Sequence, residues 1–123
     1  MKKHILVVED EASSQLIFRN ILYQNYQLTI AENGAKALEW LGKGNITDLI
    51  ITDLEMPIMN GFEMIDELER SEKYRALPVI IVSSLDKTEV FDSKRIGRER
   101  IFIQKPIFRD KLDQALSQVF NNL

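Results

Sequence analysis

The 123-residue chain contains no cysteine, which excludes disulfide bonds, thiolate metal sites and cysteine nucleophiles. It has one histidine, His4, which lies at the start of an apolar run and is assigned no role. No apolar run approaches the roughly 20 residues that span a bilayer, and the N-terminus lacks the apolar stretch of a signal peptide. The net charge of −3 gives no electrostatic reason for nucleic-acid binding. We therefore expect a cytoplasmic protein with a single domain over residues 1–123.

Five short apolar runs, rich in branched residues, cover residues 5–8, 28–31, 49–51, 79–82 and 101–103. They lack the alternation of a half-exposed strand, which is typical of strands covered on both faces in a parallel sheet. Asn33-Gly34 opens the helix after the second run, Gly42 and Gly44 close it, and Pro78 precedes the fourth run. The pattern predicts an α/β fold with five βα units and helices on both faces of the sheet.

Between the runs, apolar residues recur every three or four positions, which predicts helices that lay one face on the sheet. The predicted inward stripes are Ser14/Ile17/Phe18/Ile21/Leu22, Ala37/Leu38/Leu41, Phe62/Ile65/Leu68 and Leu112/Ala115/Leu116/Val119. A helix over residues 86–96 is expected mainly because a parallel crossover needs an element there. Leu16 and Trp40 fall off their stripes and are expected to be exposed. The basic residues Lys94, Arg95, Arg98 and Arg100 are expected to form a solvated face.

Charged or hydroxyl side chains follow four of the apolar runs directly. Glu9 and Asp10 follow the first, Asp53 lies just beyond the third, Ser83 follows the fourth and Lys105 lies just beyond the fifth. Parallel strands open their carboxyl ends on one edge of the sheet, where ligand sites of such folds lie. If the first and third strands are neighbours, the three carboxylates converge on this edge.

Two carboxylates about 4 Å apart repel by roughly 4 kcal/mol at an effective dielectric constant of 20. Lys105 supplies one positive charge against three negative ones, so a divalent ion with a preference for oxygen ligands, Mg²⁺ above all, fits the remainder. A carboxylate can act as an acyl-phosphate nucleophile, and Asp53 is the central candidate. Lys105 and the Ser83 hydroxyl would then bind phosphoryl oxygens. The alternative is that these acids are solvated loop residues.

These residues resemble the receiver domain of two-component response regulators, over essentially the whole chain. The most specific stretch is Asp53-Leu54-Glu55-Met56-Pro57-Ile58-Met59-Asn60-Gly61. It is supported by Glu9-Asp10 after the first strand, Ala31-Glu32-Asn33-Gly34 after the second, Ser83-Ser84 after the fourth and Lys105-Pro106 after the fifth. The resemblance, closest to the single-domain chemotaxis type, implies a flavodoxin-like doubly wound sandwich with strand order 2-1-3-4-5.

The resemblance implies that Asp53 accepts a phosphoryl group from a histidine kinase or a histidine phosphotransfer protein. It implies that Mg²⁺ is held by the side chains of Glu9, Asp10 and Asp53 and by the main-chain carbonyl of Glu55. Lys105 and Ser83 would contact the phosphoryl oxygens.

Three side chains receive further roles. Phe102 matches the family's aromatic switch position, and its ring would turn inward as Ser83 moves toward the phosphate. The protein would then change its contacts with a downstream protein target. Leu16, near the acidic pair, is a hypothesised docking residue for the phosphodonor. The Glu55 side chain, two positions after the acceptor, is expected to repel or steer the hydrolytic water. The chain is therefore expected to be a signalling protein rather than an enzyme acting on a diffusible substrate.

Three alternatives compete with this interpretation. A degenerate receiver would serve only as a protein-binding module. A haloacid-dehalogenase-type phosphatase would place its acid-x-acid motif after the first strand with Asp as the second acid, whereas here Asp53-Leu54-Glu55 follows the third strand. A flavodoxin-like cofactor binder would need a Ser/Thr/Gly-rich phosphate loop after the first strand, where Glu9-Asp10-Glu11 would instead repel a phosphate that lacks a bridging metal.

Overall fold

The computed structural model describes residues 2–93, 95–96 and 100–121, and within these ranges five strands alternate with five helices. The strands are β1 (Lys3–Val8), β2 (Tyr26–Ala31), β3 (Leu49–Thr52), β4 (Val79–Ser83) and β5 (Ile101–Gln104). The helices are α1 (Ala12–Leu22), α2 (Gly34–Gly42), α3 (Gly61–Arg70), α4 (Lys87–Asp92) and α5 (Arg109–Phe120). No helix in the described part of the chain is long and apolar enough to cross a membrane.

The five strands form one parallel sheet in the order β2-β1-β3-β4-β5, which confirms the predicted doubly wound fold. Val8 of β1 pairs with Ala31 of β2 on one side and with Thr52 of β3 on the other. The chain order reverses at β1, so the crevice beside its carboxyl end is the expected ligand site of this topology.

Alternate residues of the central strands face two separate apolar layers, because successive strand side chains point to opposite faces. Leu6 and Val8 pack in the layer covered by α2, α3 and α4, whereas Ile5 and Val7 pack in the layer covered by α1 and α5. Each fully buried aliphatic side chain stabilises the fold by roughly 1.5–3 kcal/mol. Both faces of the sheet are therefore covered, as the unbroken apolar runs predicted.

The two edge strands depart from that pattern. β3 and β4 are wholly buried and β1 is buried from Ile5 to Val8, whereas β2 and β5 each have only one buried residue. An edge strand has a neighbour on one side only, so the apolar character of residues 28–31 and 101–103 overstates their burial.

The boundaries of α2 agree with the predicted ones, and local hydrogen bonds define where α2 and α3 begin. The Asn33 side chain caps α2 by accepting from the Lys36 N–H at 2.9 Å. Asn60 and Glu63 form a capping box at the start of α3, which satisfies two main-chain donors that would otherwise be free. Beyond α2, Gly44 adopts a φ of 94°, which glycine accepts without strain.

The predicted helix over residues 86–96 is too long, because α4 ends at Asp92. The Ser93 hydroxyl donates to the Val90 carbonyl at 2.6 Å and accepts from the Arg95 N–H at 3.2 Å. Such local side-chain bonds offer the backbone an alternative to the helical ladder and end the helix. Asp86, predicted as helical, is the N-cap.

Two helix-face predictions also need correction. Ile17 was placed on the buried stripe of α1 but is 39% exposed, while Ser14, Phe18 and Leu22 are buried. Trp40 was expected to be exposed but is half-buried, because its ring lies 5.4 Å from the ring of His4 and packs on the core.

The basic set does not form one solvated face. The Arg100 side chain is only 5% exposed and pairs with Glu69 of α3. Arg95 is exposed but stacks on the ring of Phe62, with its guanidinium carbon 3.9 Å from the ring centroid. Lys94 and Arg98 lie outside the described residues.

Candidate functional site

The main-chain ladder continues one residue or more past the strands and fixes the residues that carry the charges. The N–H of Glu9 donates to Ala31 at 2.9 Å, the N–H of Asp53 donates to Val8 at 3.0 Å, and the N–H of Lys105 donates to Ser83 at 2.8 Å. These bonds hold the three residues to neighbouring strands at the carboxyl edge of the sheet. The side chains therefore project from a rigid frame rather than from mobile loops.

The ammonium of Lys105 lies at the centre of the cluster. Its Nζ is 2.9 Å from Asp53 Oδ2 and 2.9 Å from Glu9 Oε1. Charge-assisted hydrogen bonds of this length are the stronger kind. Glu9 and Asp53 are 1% and 7% exposed, and the Lys105 side chain is 15% exposed, so these ion pairs are shielded from water. The structure thus brings together residues that are 96 and 52 positions apart in sequence.

The two oxygens of Asp53 have different partners. Oδ1 accepts from the main-chain N–H of Leu54 at 2.6 Å and lies 3.4 Å from that of Glu55. Oδ2 faces the ammonium of Lys105. The main-chain donors fix the carboxylate plane and leave Oδ2 as the oxygen on the side of the charged cluster.

The electrostatics of the cluster follow from burial and from its unequal charges. Burial raises the pKa of Glu9 above its usual value, and the negative charge of Asp53 adds to this, although Lys105 and the Glu11 N–H oppose it. Burial alone would lower the pKa of Lys105, but its hydrogen bonds and ion pairs with Glu9 and Asp53 outweigh burial and raise it. The surroundings therefore favour the charged form of Lys105, whereas burial and the charge of Asp53 disfavour the charged form of Glu9.

The cluster also offers ligands for a metal ion. Carboxylate oxygens of Glu9, Asp10 and Asp53 all lie within 4.8 Å of one another, with Asp10 on the exposed side. Hard divalent cations take carboxylate and carbonyl oxygens as ligands. One ammonium against these three carboxylates leaves an excess of negative charge, so the donor set fits a divalent cation.

The last residue of β4 and the loops after β3 and β4 carry further polar groups. Ser83 is fully buried, and its Oγ accepts from the Leu85 N–H at 3.1 Å. Ser84 Oγ donates to Glu55 Oε1 at 3.4 Å, which links the loop after β4 to the loop after β3. The Glu55 side chain is thus directed toward Ser84 at the exposed rim of the site.

Phe102 lies in β5, half-buried against the layer of α2, α3 and α4. Its ring makes an edge-to-face contact with Phe91 of α4 at a centroid distance of 6.1 Å. Such a pair is worth about 0.5–1.5 kcal/mol beyond burial. The predicted switch residue therefore lies at the junction of β5 with the shortened helix α4.

The loop between Asp53 and α3 is closely packed. A Cβ at Gly61 would lie 2.2 Å from the Asp53 carbonyl oxygen and 2.9 Å from Leu54 Cα, so only glycine fits. Ile58, exposed at the loop tip, has a φ of 70°, which is strained for a β-branched residue. The Gly34 N–H donates to the Met59 carbonyl at 2.9 Å and anchors the loop to α2. This packing explains the glycine at the end of the Asp53–Gly61 motif.

Glu11 is the cluster residue that sequence reasoning missed. Its carboxylate Oε1 lies 3.4 Å from Lys105 Nζ, although the side chain is 61% exposed. Its position directly after Glu9-Asp10 was the available signal, but a third acid in a row is usually a solvated residue. Leu16, the hypothesised docking residue, is exposed on α1 as predicted.

The chain is similar to known proteins in sequence and in fold. The family model of the response regulator receiver domain matches residues 5–117. The chain is similar to a chemotaxis protein CheY homolog from Campylobacter jejuni, with 31% identity over 119 residues that cover 91% of each chain. It is also similar to the 3',5'-cyclic-nucleotide phosphodiesterase regA from Dictyostelium discoideum, with 31% identity over 126 residues, which cover 99% of this chain and 16% of regA.

Among solved structures, the signal receiver domain of a signal transduction histidine kinase from Syntrophus aciditrophicus superposes with a TM-score of 0.86. The two share 30% identity, and the match covers 98% of this chain and 92% of that one. The chain therefore belongs to the receiver domains of two-component response regulators, a family of signalling modules.

Proposed function

We propose that the protein is a phosphoryl-accepting switch, in which Asp53 takes a phosphoryl group from a phosphohistidine. The observation that carries the proposal is the contact of Asp53 Oδ2 with Lys105 Nζ at 2.9 Å inside a cluster with excess negative charge. A carboxylate held by main-chain donors and flanked by a cation and a candidate metal site suits nucleophilic attack on phosphorus.

Asp53 Oδ2 is the proposed nucleophile, because Oδ1 is held by the N–H groups of Leu54 and Glu55. Oδ2 forms a bond to phosphorus while the phosphorus–nitrogen bond to the donor histidine breaks, and the leaving imidazole takes up a proton. Lys105 neutralises a phosphoryl oxygen, and the Ser83 hydroxyl donates to another once it leaves the Leu85 N–H.

The side chains of Glu9, Asp10 and Asp53, with the main-chain carbonyl of Glu55, are the proposed ligands of Mg²⁺. When bound, the ion offsets the repulsion between these carboxylates and the anionic phosphoryl group. The mutual spacing of the carboxylate oxygens supports this assignment. The exposed Glu55 side chain, linked to Ser84, is positioned to steer water at the rim.

The proposed output is a change in protein contacts rather than turnover of a diffusible substrate. Movement of Ser83 toward the phosphoryl group would open space for Phe102 to turn inward, which requires the edge-to-face contact with Phe91 to break. Because that contact joins β5 to α4, its loss changes the surface of β5 and α4 to which a downstream protein target would bind.

The proposed phosphodonor is a histidine kinase or a histidine phosphotransfer protein. Exposed Leu16 on α1, five residues beyond Glu11, is proposed to dock the donor. Leu16→Asp should slow transfer from the cognate donor protein at least tenfold, because it places a charge in an apolar contact, while labelling by a small phosphodonor stays unchanged. Equal transfer rates for the variant and the wild type would remove Leu16 from the docking surface.

The central experiment is incubation with acetyl phosphate and Mg²⁺, followed by intact mass measurement. Wild type should gain the mass of one phosphoryl group, and Asp53→Asn should gain none, because the amide is not a nucleophile. An equal gain in both proteins would exclude Asp53 as the acceptor. A correctly folded wild type that gains no mass, with or without its donor protein, would favour a degenerate receiver.

A further inference from the structure

Glu11 belongs neither to the proposed metal ligands nor to the groups that would bind the phosphoryl group, yet it contacts Lys105. We propose that Glu11 is a positioning residue that holds part of the Lys105 ammonium away from the acceptor and so weakens the binding of a phosphoryl group at Asp53. The inference rests on the proposed function of Asp53 and adds a built-in restraint to it.

The restraint follows from the number of donors that Lys105 has. A lysine ammonium has three N–H donors. Three carboxylate oxygens surround it, from Glu9 and Asp53 at 2.9 Å each and from Glu11 at 3.4 Å. A phosphoryl oxygen can therefore gain a hydrogen bond from Lys105 only if one of these three partners gives up its own.

The three partners differ in how easily they can be given up. Asp53 loses its negative charge when it becomes an acyl phosphate. Glu9 is a proposed metal ligand, so a bound ion draws its carboxylate away from the ammonium. Glu11 keeps its full charge throughout and competes with the phosphoryl oxygens for Lys105.

The position of Glu11 keeps its carboxylate within reach of Lys105. Its N–H donates to Glu9 Oε2 at 3.2 Å, and its carbonyl accepts from the Gln15 N–H at 3.0 Å. Glu11 is also the N-cap residue of α1, but its side chain makes no capping hydrogen bond. The backbone is thus fixed while the carboxylate is directed to the ammonium instead of to the helix terminus.

The test compares the affinity of three variants for beryllofluoride, a phosphoryl analogue, by calorimetry at a Mg²⁺ concentration that saturates each protein. Glu11→Gln removes the competing charge and should bind about two- to fivefold more tightly than wild type, the range expected for an exposed ion pair. Glu32→Gln is the matched control, since it removes one exposed acid at the end of β2 that pairs with Lys36. It should bind as wild type does.

Glu11→Asp separates the contact with Lys105 from a general effect of charge. Aspartate keeps the charge, but its shorter side chain favours the capping position of α1 and does not reach Lys105. Tighter binding by both Glu11→Asp and Glu11→Gln supports the proposal. Tighter binding by Glu11→Gln but not by Glu11→Asp would mean that the negative charge at position 11 acts without contacting Lys105, which overturns the proposal. Unchanged or weaker binding by Glu11→Gln also overturns it.

The same measurements separate this inference from the proposed function. Failure of correctly folded wild type to bind beryllofluoride and to gain mass, with acetyl phosphate or with its donor protein, would remove the proposed acceptor role itself. Wild-type binding with no gain in Glu11→Gln would leave the acceptor role standing and remove only the restraint.

Discussion

Two cations that are largely shielded from water, Lys105 and Arg100, pair with carboxylates in different parts of the molecule. Lys105 lies at the carboxyl edge of the sheet and contacts Glu9, Asp53 and Glu11. Arg100 lies just before the amino end of β5 and pairs with Glu69, whose side chain is 34% exposed. The first cluster has more negative than positive charge, whereas the contact at Arg100 joins one cation to one carboxylate among the described residues.

The pKa values differ in direction for this reason. Carboxylates outweigh burial at Lys105 and raise its pKa, whereas burial lowers the pKa of Arg100. Among the described residues, Arg100 Nε also has no hydrogen-bond partner. A buried pair of this kind is weak support for stability. Excess negative charge, rather than burial of an ion pair as such, therefore distinguishes the candidate reaction site from the structural contact.

Removing the Lys105 charge should have the largest effect on stability. Lys105→Met keeps most of the side-chain length but leaves Glu9 and Asp53 buried without a counter-charge. We expect a loss on the order of 3 kcal/mol in the free energy of unfolding without metal. Mg²⁺ should restore more stability to the variant than it adds to wild type, since the ion takes over the counter-charge. Urea unfolding with and without Mg²⁺ measures both quantities.

The control for this experiment is Lys36→Met, which breaks an exposed pair with Glu32 and should cost less than about 0.5 kcal/mol. The sign of the pH dependence gives a second check. Because the folded-state pKa of Lys105 is raised above its ordinary value of 10.5, its stabilising contribution is complete below that value and is lost as the pH rises through the folded-state pKa. The difference in the free energy of unfolding between wild type and Lys105→Met should therefore decrease only in strongly alkaline solution. If this difference stays constant as the pH rises, or if Mg²⁺ does not reduce the loss of stability in Lys105→Met, Lys105 does not act as the counter-charge of Glu9 and Asp53.

Removing Arg100 should have a smaller effect. Arg100→Met eliminates the buried Nε that lacks a partner, and Glu69 keeps its exposure to water. We expect a loss of about 1 kcal/mol or less, equal with and without Mg²⁺. The same urea titrations apply. A loss as large as that of Lys105→Met, or one that depends on Mg²⁺, would erase the distinction between the two sites.

The sequence was most informative where physical periodicity is strict. The apolar runs predicted the five strands, and the polar residues after them predicted the edge that carries the candidate site, because strand ends in a parallel sheet share one edge. It was least informative where tertiary contacts override local pattern. The hydroxyl of Ser93 ends α4 before the predicted residue, and the ring of Trp40 packs near the ring of His4 instead of being exposed. The sequence around Ser93 and around Trp40 predicts neither contact.

The same difference between strand pattern and tertiary contact decides which charged residues were predicted. Glu9 and Asp53 follow strands and were predicted to converge. Glu11 was missed because it does not follow a strand directly and an acid after two others is usually solvated, yet its carboxylate contacts Lys105, 94 positions away. Arg100 was assigned to solvent because arginines are seldom so deeply buried, and its partner Glu69 lies in a different helix.

The glycine at the start of α3 has a mechanical consequence. The Gly61 N–H donates to the Leu54 carbonyl at 3.0 Å, and no side chain separates this helix from the peptide that follows Asp53. A gap filled by a side chain could absorb a displacement by changing rotamer, but two backbones in direct contact cannot. Any shift of the acceptor's main chain is therefore passed on to α3 as a whole.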